Sequence, residues 1–161
     1  MIRVGILSVS DGAARGLHPD ATHLTLRKAL AKGPFEVAAY ELVAQESAQI
    51  KRVLRLWADR EGYELILSAG GTGLSPRDNT PEATRELLER EVPGLAEQMR
   101  SSIGASPLVT LSRGLVGTRG QSLIVNLPGE PEDARTALEA ILSLLPKTIE
   151  MITGKALTPQ R

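Results

Sequence analysis

Residues 70–82 read Gly-Gly-Thr-Gly-Leu-Ser-Pro-Arg-Asp-Asn-Thr-Pro-Glu, and they constrain the chain more than any other stretch. Before them lies a short apolar run, Leu65–Ala69, which reads as a buried strand. After them comes a helix signal: Thr80 can cap, Pro81 suits the first turn, and Glu82 favours the positive end of the helix dipole. The backbone must pass from a core strand through a glycine loop with an Arg-Asp tip into a helix. Glycines let backbone N–H groups approach an anion closely, and Thr72, Ser75 and Arg77 can add donors. Among such donors the Asp78 carboxylate is out of place unless a cation accompanies the anion, as in a magnesium-bound phosphate. The alternative is a plain strand-to-helix turn carrying a solvated Arg-Asp pair.

At 161 residues the chain suits one domain, 1–161, with a core large enough to fold unaided. Lys plus Arg and Asp plus Glu both number 19, so net charge argues for neither nucleic acid nor a membrane surface as partner. Any anion site must be a local arrangement. One Trp, two Tyr and one Phe leave little for stacking on bases. The absence of cysteine excludes disulfides, thiolate metal sites and cysteine nucleophiles, and it suits a cytoplasmic protein. Met1–Leu7 is too short and strand-like for a signal peptide, and no apolar run is long enough to span a bilayer.

Val4–Val9 reads as a first strand, followed by a loop of small residues to Asp20, which can cap a helix through about Ala31. Phe35–Val43 alternates as a second strand. Ile50, Val53, Leu54, Trp57 and Ala58 follow helical spacing, which places Trp57 in the core, and Gly62 stops that helix. Leu95–Ile103 reads as a short helix, the glycine-punctuated stretch Ser106–Gly120 as hairpin pieces at an edge, and Leu123–Asn126 as a buried strand. Ala134, Leu138, Ile141, Leu142 and Leu145 share one helical face, Pro146 resets the chain, and a last helix ends at Gly154. Strands separated by helices predict a three-layer αβα fold, a mostly parallel sheet with helices on both faces. Ligands of such sheets gather beyond the carboxyl ends of the strands. Three junctions qualify: Ser10-Asp11-Gly12, the loop from Gly70 to Asp78, and Asn126-Leu127-Pro128-Gly129.

The glycine loop is not followed by the Gly-Lys-Ser/Thr of a P-loop, and no G-x-G-x-x-G links the first strand to its helix. His18 and His23 are the only histidines, too few for zinc chemistry without cysteine; His18 near Ser10 is conceivable as part of a triad, but reads as a surface residue. Carboxylates, hydroxyls, arginines and backbone N–H groups remain, an inventory that suits phosphoryl or nucleotidyl transfer. Asp78 is the first candidate metal ligand, with Asp11 and Asp20 behind it; Arg119 suits either anion steering or a salt bridge.

Ser8-Val9-Ser10-Asp11, Gly70-Gly71-Thr72-Gly73, Pro76-Arg77-Asp78-Asn79-Thr80-Pro81-Glu82 and Leu123-Ile124-Val125-Asn126-Leu127-Pro128-Gly129 occur here in one order and spacing. In these residues the whole chain resembles the MogA/MoaB family of molybdenum cofactor biosynthesis, to which the gephyrin G domain and its plant counterpart are related. Their detailed form looks closer to MogA than to the MoaB branch. The resemblance implies molybdopterin adenylyltransferase activity with magnesium: molybdopterin and ATP give adenylylated molybdopterin and pyrophosphate. It implies that Gly70, Gly71, Thr72 and Gly73, with Ser75 and Arg77, bind phosphate and that Asp78 holds the metal. It further implies that Asn126, Pro128 and Gly129 shape the pocket edge near the nucleotide, and that Ser10 and Asp11 line its floor. A homotrimer or dimer of trimers, and a molybdenum-insertion partner protein, are implied as well.

One position departs from the family, which carries Pro-Asp and a further acidic residue after the second strand. Here the segment reads Val43-Ala44-Gln45-Glu46-Ser47. Glu46 either takes over as a catalytic carboxylate or is a solvated residue opening the next helix, and Gln45 can coordinate through its neutral carbonyl oxygen. A site weakened this way would suit a molybdopterin-binding or scaffold module with little turnover. A nucleotide hydrolase resembling CinA-like domains is a third possibility.

Overall fold

The structure is a computed structural model that describes residues 1–102 and 107–155. Six strands form one sheet: β1 (Ile2–Val9), β2 (Phe35–Val43), β3 (Leu65–Ala69), β4 (Arg90–Glu91), β5 (Val116–Arg119) and β6 (Ser122–Leu127). Their order is β2-β1-β3-β6-β5-β4. The pairs β1–β2, β1–β3 and β3–β6 are parallel, whereas β5 runs antiparallel to both β6 and β4. The mostly parallel sheet expected from alternating strands and helices is therefore present, with an antiparallel ribbon at one edge. The hairpin read within 106–120 is β5 turning into β6 through Gly120, at φ +56°. Its outer neighbour β4 was not legible, since two exposed charged residues carry no strand pattern.

Alternation along the central strands sends side chains to two separate cores. On one face Val4, Ile6, Leu65, Leu67, Leu123 and Val125 pack with Leu26 and Leu30 of α2 (Thr22–Leu30), Met99 of α5 (Pro93–Ser102), Leu138 and Ile141 of α6 (Pro131–Leu142) and Ile149 of α7 (Leu145–Thr153). On the other face Leu7, Val9, Ile66 and Ile124 meet Ile50, Val53 and Leu54 of α3 (Ser47–Arg55) and Ala83 of α4 (Thr80–Arg85). Each fully buried Leu or Ile side chain contributes about 1.5–3 kcal/mol, so the central strands anchor everything that follows them. Trp57 is core, as its spacing predicted, at 4% exposure. It lies flat on Gly5, where a Cβ would meet its ring at 2.5 Å. The helix carrying Trp57 widens into a π-helical turn over Leu56–Glu61 before Gly62, at φ +65°, ends it.

Helix boundaries moved by one or two residues, and three local readings need correction. The loop after β1 opens with one helical turn, α1 (Asp11–Ala14), capped by Ser10 Oγ accepting the Ala13 N–H at 3.2 Å. Asp20 accepts the Thr22 N–H at 3.2 Å but sits one residue before the N-cap of α2. Thr80 does not cap: it is the first residue of α4, and its buried hydroxyl lacks a partner among the described residues. Residue 103, expected to end the fifth helix, and residue 106, where the hairpin reading began, lie outside the described residues.

Candidate functional site

β1 lies between β2 and β3, so the connection leaving β1 goes to one side while the next returns to the other. At such a switch point the loops beyond the strand ends separate and leave a crevice. A cleft of about 520 Å³ opens there. Ser8, Val9 and Ser10 line it from the end of β1, Gly70–Gly73 and Asp78 from the loop after β3, and Gly129 and Pro131 from the turn after β6. His18 and Asp20 from the stretch before α2 and Thr22 at its first position also line it, and the Thr22 hydroxyl donates to the Gly129 carbonyl at 2.7 Å. Three loops far apart in sequence thus meet at one place, as the strand ends predicted.

The glycine loop takes its shape from close packing. Gly70 and Gly71 have φ of +109° and +69°, and a Cβ on Gly70 would lie 2.1 Å from the Val9 carbonyl oxygen. Only glycine lets the chain turn so tightly against β1. The carbonyls of Gly71, Thr72 and Gly73 are each held: by the Thr80 N–H at 3.1 Å, the Arg113 N–H at 3.0 Å and Arg113 Nε at 2.8 Å. In a trans peptide the N–H points opposite the carbonyl, so the N–H groups of Thr72, Gly73 and Leu74 turn the other way. None of the three has an acceptor among the described residues. Successive free N–H groups of this kind make an anion-binding concavity.

Asp78, half-buried, sits against that concavity. Its Oδ2 accepts the Ser75 N–H at 3.0 Å, and its Oδ1 accepts Gln45 Nε2 at 2.9 Å. The carboxylate fixes the orientation of the Gln45 amide, because only the NH2 group can donate to it. Gln45 also donates to the Arg77 carbonyl at 3.3 Å, and its backbone N–H to Asp11 Oδ1 at 2.9 Å. Arg77 reaches back over the loop tip: Nε and Nη2 donate to Asp11 at 3.0 Å each, and Nη2 to Glu46 Oε1 at 3.0 Å. The Arg77 guanidinium, then the Gln45 N–H, hold the Asp11 carboxyl down at about 2, and Asp11 and Glu46 in turn push the Arg77 value up.

The candidate residues thus fall into groups. Ser10, Gly70, Gly71, Thr72, Gly73, Asp78 and Gly129 line the cleft. Arg77, Asp11 and Glu46 form an ion-paired rim, with Arg77 committed to carboxylates and Glu46 exposed at the edge, and Ser75 lies beside it, its hydroxyl accepting the Arg77 N–H at 3.4 Å. Pro128 is half-buried beside Gly129. Asn126 is buried beneath the site at 1% exposure, donating to Ser68 Oγ at 2.9 Å and Thr84 Oγ1 at 3.0 Å and accepting the Leu115 N–H at 3.1 Å. It ties β6 to its surroundings instead of forming the pocket edge. Arg119 takes the salt-bridge alternative, gripping Asp59 at 2.9 and 2.8 Å. His18 is exposed on the cleft wall, and Ser10 Oγ is engaged as a cap, so no Ser-His pair forms among the described residues.

Two features were missed in the sequence. Tyr40, on β2, donates to Asp20 Oδ2 at 2.5 Å and stacks on His23 with ring centroids 4.0 Å apart, fixing the carboxylate of a residue that lines the cleft; burial and Asp20 push the Tyr40 hydroxyl up to about 12. Arg113 braces the glycine loop from behind, and its only signal was one basic residue in the unpatterned stretch before β5.

Among the described residues no group of three or more His, Cys, Asp or Glu could hold a metal by itself. One cleft-lining carboxylate, Asp78, beside an anion concavity does fit magnesium in its usual nucleotide mode, where phosphates and water supply most ligands.

A family model described as a probable molybdopterin binding domain matches residues 5–147. The chain is 38% identical to the molybdopterin adenylyltransferase of Helicobacter pylori strain J99, over 95% of this chain and 89% of that protein. The molybdopterin biosynthesis enzyme MoaB of Thermus thermophilus superposes with a TM-score of 0.94 at 62% identity, covering 98% of this chain and all of that one. A solved structure of MogA superposes at 0.88 with 34% identity, covering 93% and 99%. High identity thus reaches a MoaB-named neighbour, although the motif spelling looked closer to MogA. Matched over residues 5–147, the chain belongs to this family of probable molybdopterin binding domains.

Proposed function

We propose that the protein is a magnesium-dependent molybdopterin adenylyltransferase, acting as one domain over 1–161. The observation that supports this best is the run of free N–H groups at Thr72, Gly73 and Leu74 facing away from Arg113, with Asp78 beside it. The terminal phosphate oxygen of molybdopterin attacks the α-phosphorus of ATP. The bond from that phosphorus to the bridging oxygen breaks, and pyrophosphate leaves. No covalent intermediate with the protein is needed, because the attacking phosphate is already a nucleophile. The loop N–H groups hold phosphate oxygens where charge accumulates. Asp78, with the phosphates, would hold magnesium, which supplies charge neutralisation on the polyphosphate. Ser10, Thr72 and the turn at Gly129 bound the space in which the two substrates are aligned.

A second reading, a molybdopterin-binding module with little turnover, draws on Gln45, which supplies a neutral donor to Asp78 in place of a second carboxylate. Incubation with molybdopterin and Mg-ATP separates the two: AMP-linked pterin with released pyrophosphate supports the transferase, and pterin binding without either product supports the module. The cytoplasm as location and a homotrimer or dimer of trimers belong to the same proposal. No helix among the described residues is long and apolar enough to cross a membrane.

A further inference from the structure

Arg113 lies behind the glycine loop, with three of its donors on loop carbonyls and a fourth on the Glu82 carboxylate in α4. Its backbone N–H reaches the Thr72 carbonyl at 3.0 Å, Nε the Gly73 carbonyl at 2.8 Å, Nη2 the Asp78 carbonyl at 2.7 Å and Nη1 the Glu82 carboxylate at 2.5 Å. These acceptors span the loop from its first turn to the start of α4. All peptides here are trans, so a carbonyl drawn toward Arg113 sends the N–H of the same unit to the opposite side. The side chain therefore sets the direction of the Leu74 N–H through Gly73, and that of the Asn79 N–H through Asp78. It also holds the backbone from which the Asp78 carboxylate projects.

We infer that Arg113 is a positioning residue for the phosphate loop, keeping peptide N–H groups toward the ligand and their carbonyls away from it without itself touching the ligand. The inference rests on the phosphate reading of the cleft given above. A planar guanidinium suits this task because its donors diverge in a fixed fork, matching acceptors spread along a bend. A lysine ammonium keeps the charge but gathers its donors at one point, so it cannot hold Gly73, Asp78 and Glu82 together. Freed carbonyls could rotate toward the cleft and present partial negative charge to a phosphate. A plain surface ion pair with Glu82 would have none of these consequences.

The test compares wild type with Arg113→Lys, Arg113→Gln and Glu82→Gln. Three quantities are read: binding of inorganic pyrophosphate with magnesium, amide exchange at Asp78 and Thr80, and the melting curve. Both these N–H groups bond within the loop, to the Ser75 and Gly71 carbonyls. Arg113→Lys is expected to weaken pyrophosphate binding about tenfold or more and to speed exchange at both amides. Glu82→Gln, which spares the carbonyl bonds, is expected to stay within about twofold of wild type. Equal losses in Glu82→Gln and Arg113→Lys would reduce the role to an ion pair and overturn the inference. So would a folded Arg113→Lys protein with unchanged binding and exchange, or loss of cooperative melting in both Arg113 variants. If wild type binds no pyrophosphate, the phosphate reading fails, while faster exchange in Arg113→Lys would still show that Arg113 orders the loop.

Discussion

Gln45 Nε2 donates to Asp78 Oδ1 across 2.9 Å, joining the end of β2 to the loop after β3. The contact satisfies Asp78 with a neutral amide where the resembled family places another carboxylate. Asp78 therefore has a partner in the free protein that must yield, or share, when a cation arrives. Glu46, the other candidate to replace the missing charge, instead faces Arg77 at 3.0 Å on the exposed rim.

Asp78→Asn is expected to abolish adenylyl transfer while leaving the fold intact. The side chain is half-buried and accepts two hydrogen bonds, so the stability loss should be about 1 kcal/mol, small against a typical domain's total. Turnover near wild type at saturating magnesium would remove Asp78 from the mechanism.

Gln45→Asp should raise the affinity for a divalent cation about tenfold, because a carboxylate binds a hard dication better than an amide. Without cation the same variant should melt lower, since two carboxylates then share one position. Glu46→Gln should change transfer by no more than about twofold, as expected for an exposed pair. Manganese titration followed by electron paramagnetic resonance reads the affinities directly. No change from either substitution would place the whole 43–47 segment outside the site.

Asp11 gives a pH signature. Its folded-state value of about 2 lies below its ordinary 3.8, chiefly because Arg77 donates to it. The unfolded chain therefore takes up the proton first as pH drops. The stabilisation is complete above about pH 4 and is lost as pH falls through about 2. Asp11→Asn should show a shallower decline of melting temperature across that window than wild type. Parallel curves would mean that the Asp11–Arg77 pair contributes nothing to folding.

The proposed homotrimer can be probed at a second groove of about 1100 Å³, which shares no lining residue with the cleft. Val92, Leu95, Leu144, Met151 and Ile152 line it, with Met151 74% exposed. Apolar surface of this kind commonly marks a protein contact. Light scattering should give a trimer or a multiple of three, and Met151→Glu should shift the population toward monomer. A wild-type monomer across micromolar concentrations would refute the assembly.

The strand and helix pattern was legible because it is local: short apolar runs mark Leu65–Ala69 and Leu123–Asn126 as core strands, and the spacing of Ile50 to Ala58 marks one helix face. The glycine loop was legible for the same reason, since backbone freedom at Gly70 and Gly71 is a property of those residues. That the three loops should share one cleft also followed from sequence, because parallel strands end on one side. Tertiary structure alone decided the partners. Asp11 and Glu46 lie 66 and 31 positions along the chain from Arg77, and Gln45 and Asp78 are separated by 33. No short-range pattern encodes such pairings. Asn126 looked like a pocket residue by motif, yet the register of β6 against β3 turns it inward to Ser68. Arg113 stood out only as a lone basic residue before β5, because its role depends on which carbonyls the folded loop turns toward it. Periodicity and backbone freedom are written in neighbouring residues, whereas the direction of a hydrogen bond between distant loops exists only once the sheet has brought them together.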